Sequence, residues 1–107
     1  MPYVVVRTLW PFSKKDELIK KAIEVRKKYP EDNSIAEQNV SATRVTLEGV
    51  RTLGVWEVKK GKLEELLDRL AEGLVMLAEV DGITSTTEIW STAIEAWARL
   101  GQTPPNT

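Results

Sequence analysis

The sequence has 107 residues and 42% hydrophobic content, enough for one domain around one modest core. Its 15 Lys and Arg nearly cancel 16 Asp and Glu, so the net field points to neither a polyanion nor a membrane surface. Cys and His are both absent, which removes thiolate nucleophiles, disulfides, imidazole bases and most zinc or haem ligation together, so no metal or cofactor is expected. Any proton transfer falls to Asp, Glu, Lys or Tyr. No segment approaches the ~20 apolar residues of a membrane helix, and the start MPYVVVRTLW has no basic stretch followed by a long apolar one; a soluble, cytoplasmic protein is expected. The lack of Cys beside many Lys and Glu leans toward a thermophilic source.

YVVVRTLW (3–10) is a β-branched and aromatic run that reads as a strand buried on nearly both faces, ended by Pro11. Ser13 stands where an N-cap belongs, with Asp16 three residues on, so a helix is predicted from there until Pro30. Leu18, Ile19, Ala22, Ile23, Val25 and Tyr29 recur along it at helical spacing and predict one packed face. QNVSATRVTL (38–47) alternates as a strand, but the phase of Val40 and Ala42 differs from that of Val45 and Leu47, which predicts a bulge near Thr43. Glu48-Gly49 then turns the chain into VRTLGVWEV (50–58), closing a hairpin.

Leu63, Leu66, Leu67, Leu70, Leu74, Leu77 and Ala78 build a second amphipathic helix, with Gly82 past its end. GITSTTEIW (82–90) alternates as a strand in which the run of hydroxyl residues is at home, and STAIEAWARL (91–100) has the spacing of a short C-terminal helix. One domain over 1–101 with a disordered tail at 102–107 is expected. Strand, helix, strand, strand, helix, strand plus a final helix is an α+β, ferredoxin-like β-α-β-β-α-β plan, with two helices covering one face of a four-stranded antiparallel sheet. The other face is left to be explained. Leu53 and Val55 suit the covered side, as do Ile83 and Ile89, which assigns Trp56 and Trp90 to the open one.

With LGVWEV, GITSTTEIW and the C-terminal helix in this order, the chain resembles the dimeric α+β barrel superfamily. That resemblance implies two ferredoxin-like subunits joined through their open sheet faces around small-molecule pockets. Members include haem-degrading enzymes, which generally hold iron through His and so do not match this chain, and cofactor-free monooxygenases and isomerases. The expectation is a homodimer, or a higher even oligomer, holding a small organic ligand near Arg7, Trp56, Thr84, Thr86 and Glu88, with Trp56, Trp90 and Trp97 in the interface. The alternatives are a cofactor-free monooxygenase or isomerase acting on a phenolic or lactone substrate, and a purely structural assembly protein.

Each of these residues also has a plainer role. Trp56 and Trp90 pack a dimer or stack on an aromatic ligand, and the aromatic content of interface cores favours packing. Thr84 and Thr86 either bind a ligand or only support cross-strand pairing. Arg7, expected on a buried strand, needs Glu57, Glu88 or an anionic ligand as its partner. Glu88 is the one candidate general base, a role that burial and a raised pKa would support.

Nucleic acid is not expected as a partner. The helix at 13–29 carries seven bases against three acids, but the second helix is correspondingly acidic, so complementary neighbours explain the basic stripe. The RNA-recognition motif shares this element order, yet Leu53 and Val55 stand where it places stacking aromatics. The sequence holds no phosphate loop or nucleophile elbow.

Overall fold

The computed structural model describes residues 2–103 and 105. Among them are four strands, β1 (Tyr3–Trp10), β2 (Ala36–Thr46), β3 (Gly49–Val58) and β4 (Thr84–Trp90), and three α-helices, α1 (Lys15–Lys28), α2 (Leu63–Leu77) and α3 (Ala93–Arg99). The strands form one antiparallel sheet in the order β2-β3-β1-β4. The chain is thus an α+β fold with a four-stranded antiparallel sheet, and α1 and α2 lie on one side of it. Part of the expected tail, at residues 104, 106 and 107, lies outside the described residues.

Register decides which side chains meet those helices. Val4 and Val6 of β1 are buried in the core cluster, with Val4 fully enclosed. Because side chains alternate along a strand and directly paired residues share a face, their partners Trp56 and Gly54 on β3 point the same way. Val58, only 1% exposed, continues that layer, and Ile35, Ala36 and Leu66 complete the cluster, with Trp56, Leu63, Leu67, Leu70 and Leu74 packed against it. The assignment of Trp56 to the open face is therefore overturned. Leu53 and Val55, expected beneath the helices, are the residues that face away from them.

Local chemistry moves several predicted boundaries. Lys14 N–H donates to Pro11 O at 3.1 Å, closing a 3-10 turn over Phe12–Lys14, so Ser13 sits inside a turn and α1 starts at Lys15 with no side-chain cap. Only Leu18 of α1 is buried, while Ile19 and Ile23 stay about half exposed (51% and 53%), so the packed stripe is narrower than the spacing suggests. The irregularity in β2 falls between Gln38 and Val40, not near Thr43: an extra residue at Asn39 resets the phase before the polar run begins. Thr46 pairs with Gly49, which makes Leu47 and Glu48 the turn. Gly49 has φ +139°, and a Cβ there would collide with the carbonyl of Trp10, so only glycine fits.

The complementary helix charges do meet. Lys21 of α1 pairs with Glu79 just beyond α2, and the Tyr29 hydroxyl donates to Glu72. Among the described residues, no helix is long and apolar enough to cross a membrane.

Candidate functional site

The open side of the sheet is a grid of four rows, each crossing β2, β3, β1 and β4 in turn. The register gives Glu37, Glu57, Tyr3 and Trp90 in the first row, then Val40, Val55, Val5 and Glu88. Ala42, Leu53, Arg7 and Thr86 make the third row, and Arg44, Arg51, Leu9 and Thr84 the fourth. Charge sits at the two ends of the β2-β3 hairpin and apolar side chains lie between. Trp90 is 52% exposed, and Val40, Ala42, Arg7, Thr84 and Thr86 are also open to solvent.

At the β1–β4 side, Arg7 Nε donates to Glu88 Oε1 at 3.3 Å, and the Trp90 indole N–H donates to the same oxygen at 3.1 Å. Trp90 is two residues from Glu88 on the same face, so strand alternation alone brings indole and carboxylate together. The Trp90 hydrogen bond, followed by the Arg7 guanidinium, holds the Glu88 carboxyl below its ordinary range. As the candidate general base Glu88 would need burial to raise its pKa, but it is not buried and both neighbours favour its charged form. It is an anchored carboxylate, suited to orienting a cation or accepting a hydrogen bond.

Arg7 is exposed, not enclosed, and its partner is Glu88, one of the acids expected for it. Arg7 also borders a depression of about 340 Å³ with Ala42, Arg44, Arg51 and Leu53, at the basic end of the face. Of the expected ligand residues, the structure gathers Arg7, Thr84, Thr86 and Glu88 on this side, together with Trp90. Trp56 is separated from them by the thickness of the sheet. Trp97 is half-buried on α3, a helix with no fully buried residue.

Trp56 instead belongs to a cavity of about 300 Å³ between the helices and the sheet. Its floor includes Thr8, Thr52, Gly54, Gln38 and Trp56, and its roof includes Val25 of α1 and Leu70, Gly73 and Leu74 of α2. The Thr8 and Thr52 hydroxyls are hydrogen-bonded to each other on this floor. Tyr29 and Arg69 also border it; Arg69 donates to Pro30 O and lies 5.8 Å from the centre of the Tyr29 ring. An apolar cavity of this size with a few polar groups can hold a small planar molecule. The sequence signal for it was Gly54, two residues before Trp56 on the same face, which leaves room for the ring to fold back over the strand. Among the described residues, no group of three or more acidic side chains is placed to hold a metal ion.

No protein-family model matches the chain, and no curated protein does. Among solved structures it is similar to the de novo designed protein Foldit4, at 20% identity and a TM-score of 0.49, covering 81% of this chain and 94% of that one. It is also similar to an uncharacterised protein from Thermotoga maritima, at 10% identity and a TM-score of 0.49, covering 84% and 96% of the two chains. A third similar structure is the C-terminal domain of the MgtC protein from Mycobacterium tuberculosis, at 12% identity and a TM-score of 0.48, covering 86% and 89%.

Proposed function

We propose that the protein is a small-molecule-binding homodimer of the dimeric α+β barrel type, built on the ferredoxin-like plan, in which two copies join their open sheet faces. The observation that carries this reading is the apolar centre of the grid, where Val40 and Ala42 are exposed and Val55 and Leu53 half-buried, with Val5 already covered by its own neighbours. A sheet face of that composition is stabilised by covering it, and a second copy covers it symmetrically. The ligand, a small organic molecule, lies between the faces where Arg7 and Glu88 supply opposite charges and Thr84 and Thr86 supply hydroxyls, with Trp90 at the rim.

A second reading of the ligand site is favoured by the helix-side cavity, whose floor carries the Trp56 ring. Native mass spectrometry of freshly purified protein tests both. The expected result is an even oligomer that retains a small mass, whereas a monomer with no added mass would sink the proposal. Leu70→Trp fills the helix-side cavity and Thr86→Trp crowds the open face, so the variant that loses the retained mass identifies the site.

A further inference from the structure

The open face holds two repulsive pairs that its own chain does not resolve. Glu37 lies directly across from Glu57, and Arg44 directly across from Arg51. Like charges opposed across an antiparallel pair destabilise the hairpin, and here one hairpin carries one pair of each sign. Local relief is slight. Asn39 Nδ2 donates to Glu57 Oε2 at 3.3 Å, and Glu48 in the turn is the acid whose field reaches both Arg51 and Arg44. Arg7 is engaged by Glu88, and among the described residues neither Arg44 nor Arg51 has an ion pair or a hydrogen bond to its guanidinium.

We infer that the second copy sits on this face with its strands reversed, so that Glu37 and Glu57 of each copy meet Arg44 and Arg51 of the other. This rests on the homodimer reading above and adds its register. The two charged pairs are roughly 20 Å apart along the strands, at about 3.4 Å per residue. A two-fold axis lying between the sheets, across the strands and between Val55 and Leu53, exchanges them. The same operation lays Val40 on Ala42 and Val55 on Leu53 in the middle rows. An axis along the strands between β2 and β3 would stack acid on acid and arginine on arginine, and one at the centre of the sheet would lay the charged pairs over Tyr3, Trp90, Leu9 and Thr84, where no opposite charge meets them. A diagonal axis would press Glu37 or Arg44 against its own copy. Facing sheets are about 10 Å apart, a gap that Glu and Arg span together. An anion bound at the arginines would account for one repulsive pair; a reversed second copy accounts for both.

Sedimentation equilibrium tests the register with four samples: wild type, Arg44→Glu with Arg51→Glu, Glu37→Arg with Glu57→Arg, and an equal mixture of the two double variants. Circular dichroism first establishes that each variant is folded. The wild type is expected to be a dimer whose dissociation constant rises with salt. Each double variant alone should dimerise at least about tenfold more weakly. The mixture should recover a dimer, because one all-acidic face then meets one all-basic face. A wild-type monomer would overturn both the register and the homodimer. A wild-type dimer that tolerates both double variants and shows no preference in the mixture would overturn the register while leaving the homodimer standing. Should a double variant fail to fold, the salt response of the wild type decides, and a dissociation constant that does not rise with salt overturns the register.

Discussion

A Cβ at position 54 would lie 2.6 Å from two ring carbons of Trp56 and 3.2 Å from Gln38 Nε2, so the Trp56 indole occupies the space that only a glycine leaves. The ring is held between the strand and the helices, packed against the core cluster. Gly54→Ala is therefore expected to cost about 1–3 kcal/mol through overpacking, read as a lower urea midpoint with an unchanged slope. An unchanged midpoint would mean that the ring has another resting place. The phase of β3 was legible in the sequence by a signal other than side-chain size. Arg51 and Glu57 alternate in phase with Leu53 and Val55, and charges avoid a covered face; weighing the apolar residues alone put Trp56 on the wrong side. On β4, the phase of Ile89, which pairs with the core residue Val4, indicated the covered side correctly and left Thr84, Thr86, Glu88 and Trp90 on the open one. The grouping of Thr84, Thr86 and Glu88 was readable for the same reason, and Arg7 joins them from β1 as the register partner of Thr86.

Helices α1 and α2 differ in how firmly they are held, and Gly73 lies at their junction. A Cβ there would stand 3.2 Å from Val25 Cγ1, a tight contact, but both residues border the helix-side cavity into which Val25 can shift. The helix-propensity gain of about 1 kcal/mol should exceed that adjustment, so Gly73→Ala is expected to raise the urea midpoint slightly. A lower midpoint would show that α1 is fixed against α2. Helix α3 is held chiefly by its own N-terminus. Thr92 Oγ1 accepts from the Glu95 backbone N–H at 3.1 Å, and the Glu95 carboxylate accepts from the Thr92 backbone N–H at 3.1 Å. The Glu95 carboxyl falls from an ordinary 4.5 to about 2, with the bonds to the Thr92 backbone and then its side chain the largest causes. A depressed carboxyl pKa stabilises the fold above the unfolded value, so the contribution is complete above pH 4.5 and is lost as pH falls toward 2. Amide shifts of residues 92–99 should titrate over that window, and Glu95→Gln should remove the pH dependence; shifts that stay flat would refute the cap. Thr92-x-x-Glu95 spells this capping box in the sequence, where helical spacing alone gave only the helix and not its start. The start of α1 was misread for the opposite reason, because Ser13 has capping chemistry but Pro11 and Phe12 had already closed a turn around it.

At the scale of the whole molecule, element order and the short hairpin made the antiparallel sheet legible, while the identity of its open face depended on one register that β3 alone could supply. That face combines an apolar centre with charged ends, and in the proposed homodimer burying it between two copies would make dimerisation part of folding. For a homodimer, mass action then requires the unfolding midpoint to rise with protein concentration. Trp90 provides the sharpest check because it is 52% exposed at the rim of the face and donates to Glu88, yet contributes nothing to the core cluster. Trp90→Lys should leave the fold intact, since no core contact is removed, while it brings a charge and an exposed stem to the surface that the proposed homodimer would desolvate. Thermal unfolding of the wild type is expected to shift upward across a hundredfold range of concentration, and the Trp90→Lys midpoint to stay constant with sedimentation as a monomer. A wild-type midpoint independent of concentration, with Trp90→Lys indistinguishable from it, would mean that the face remains solvated in a single chain.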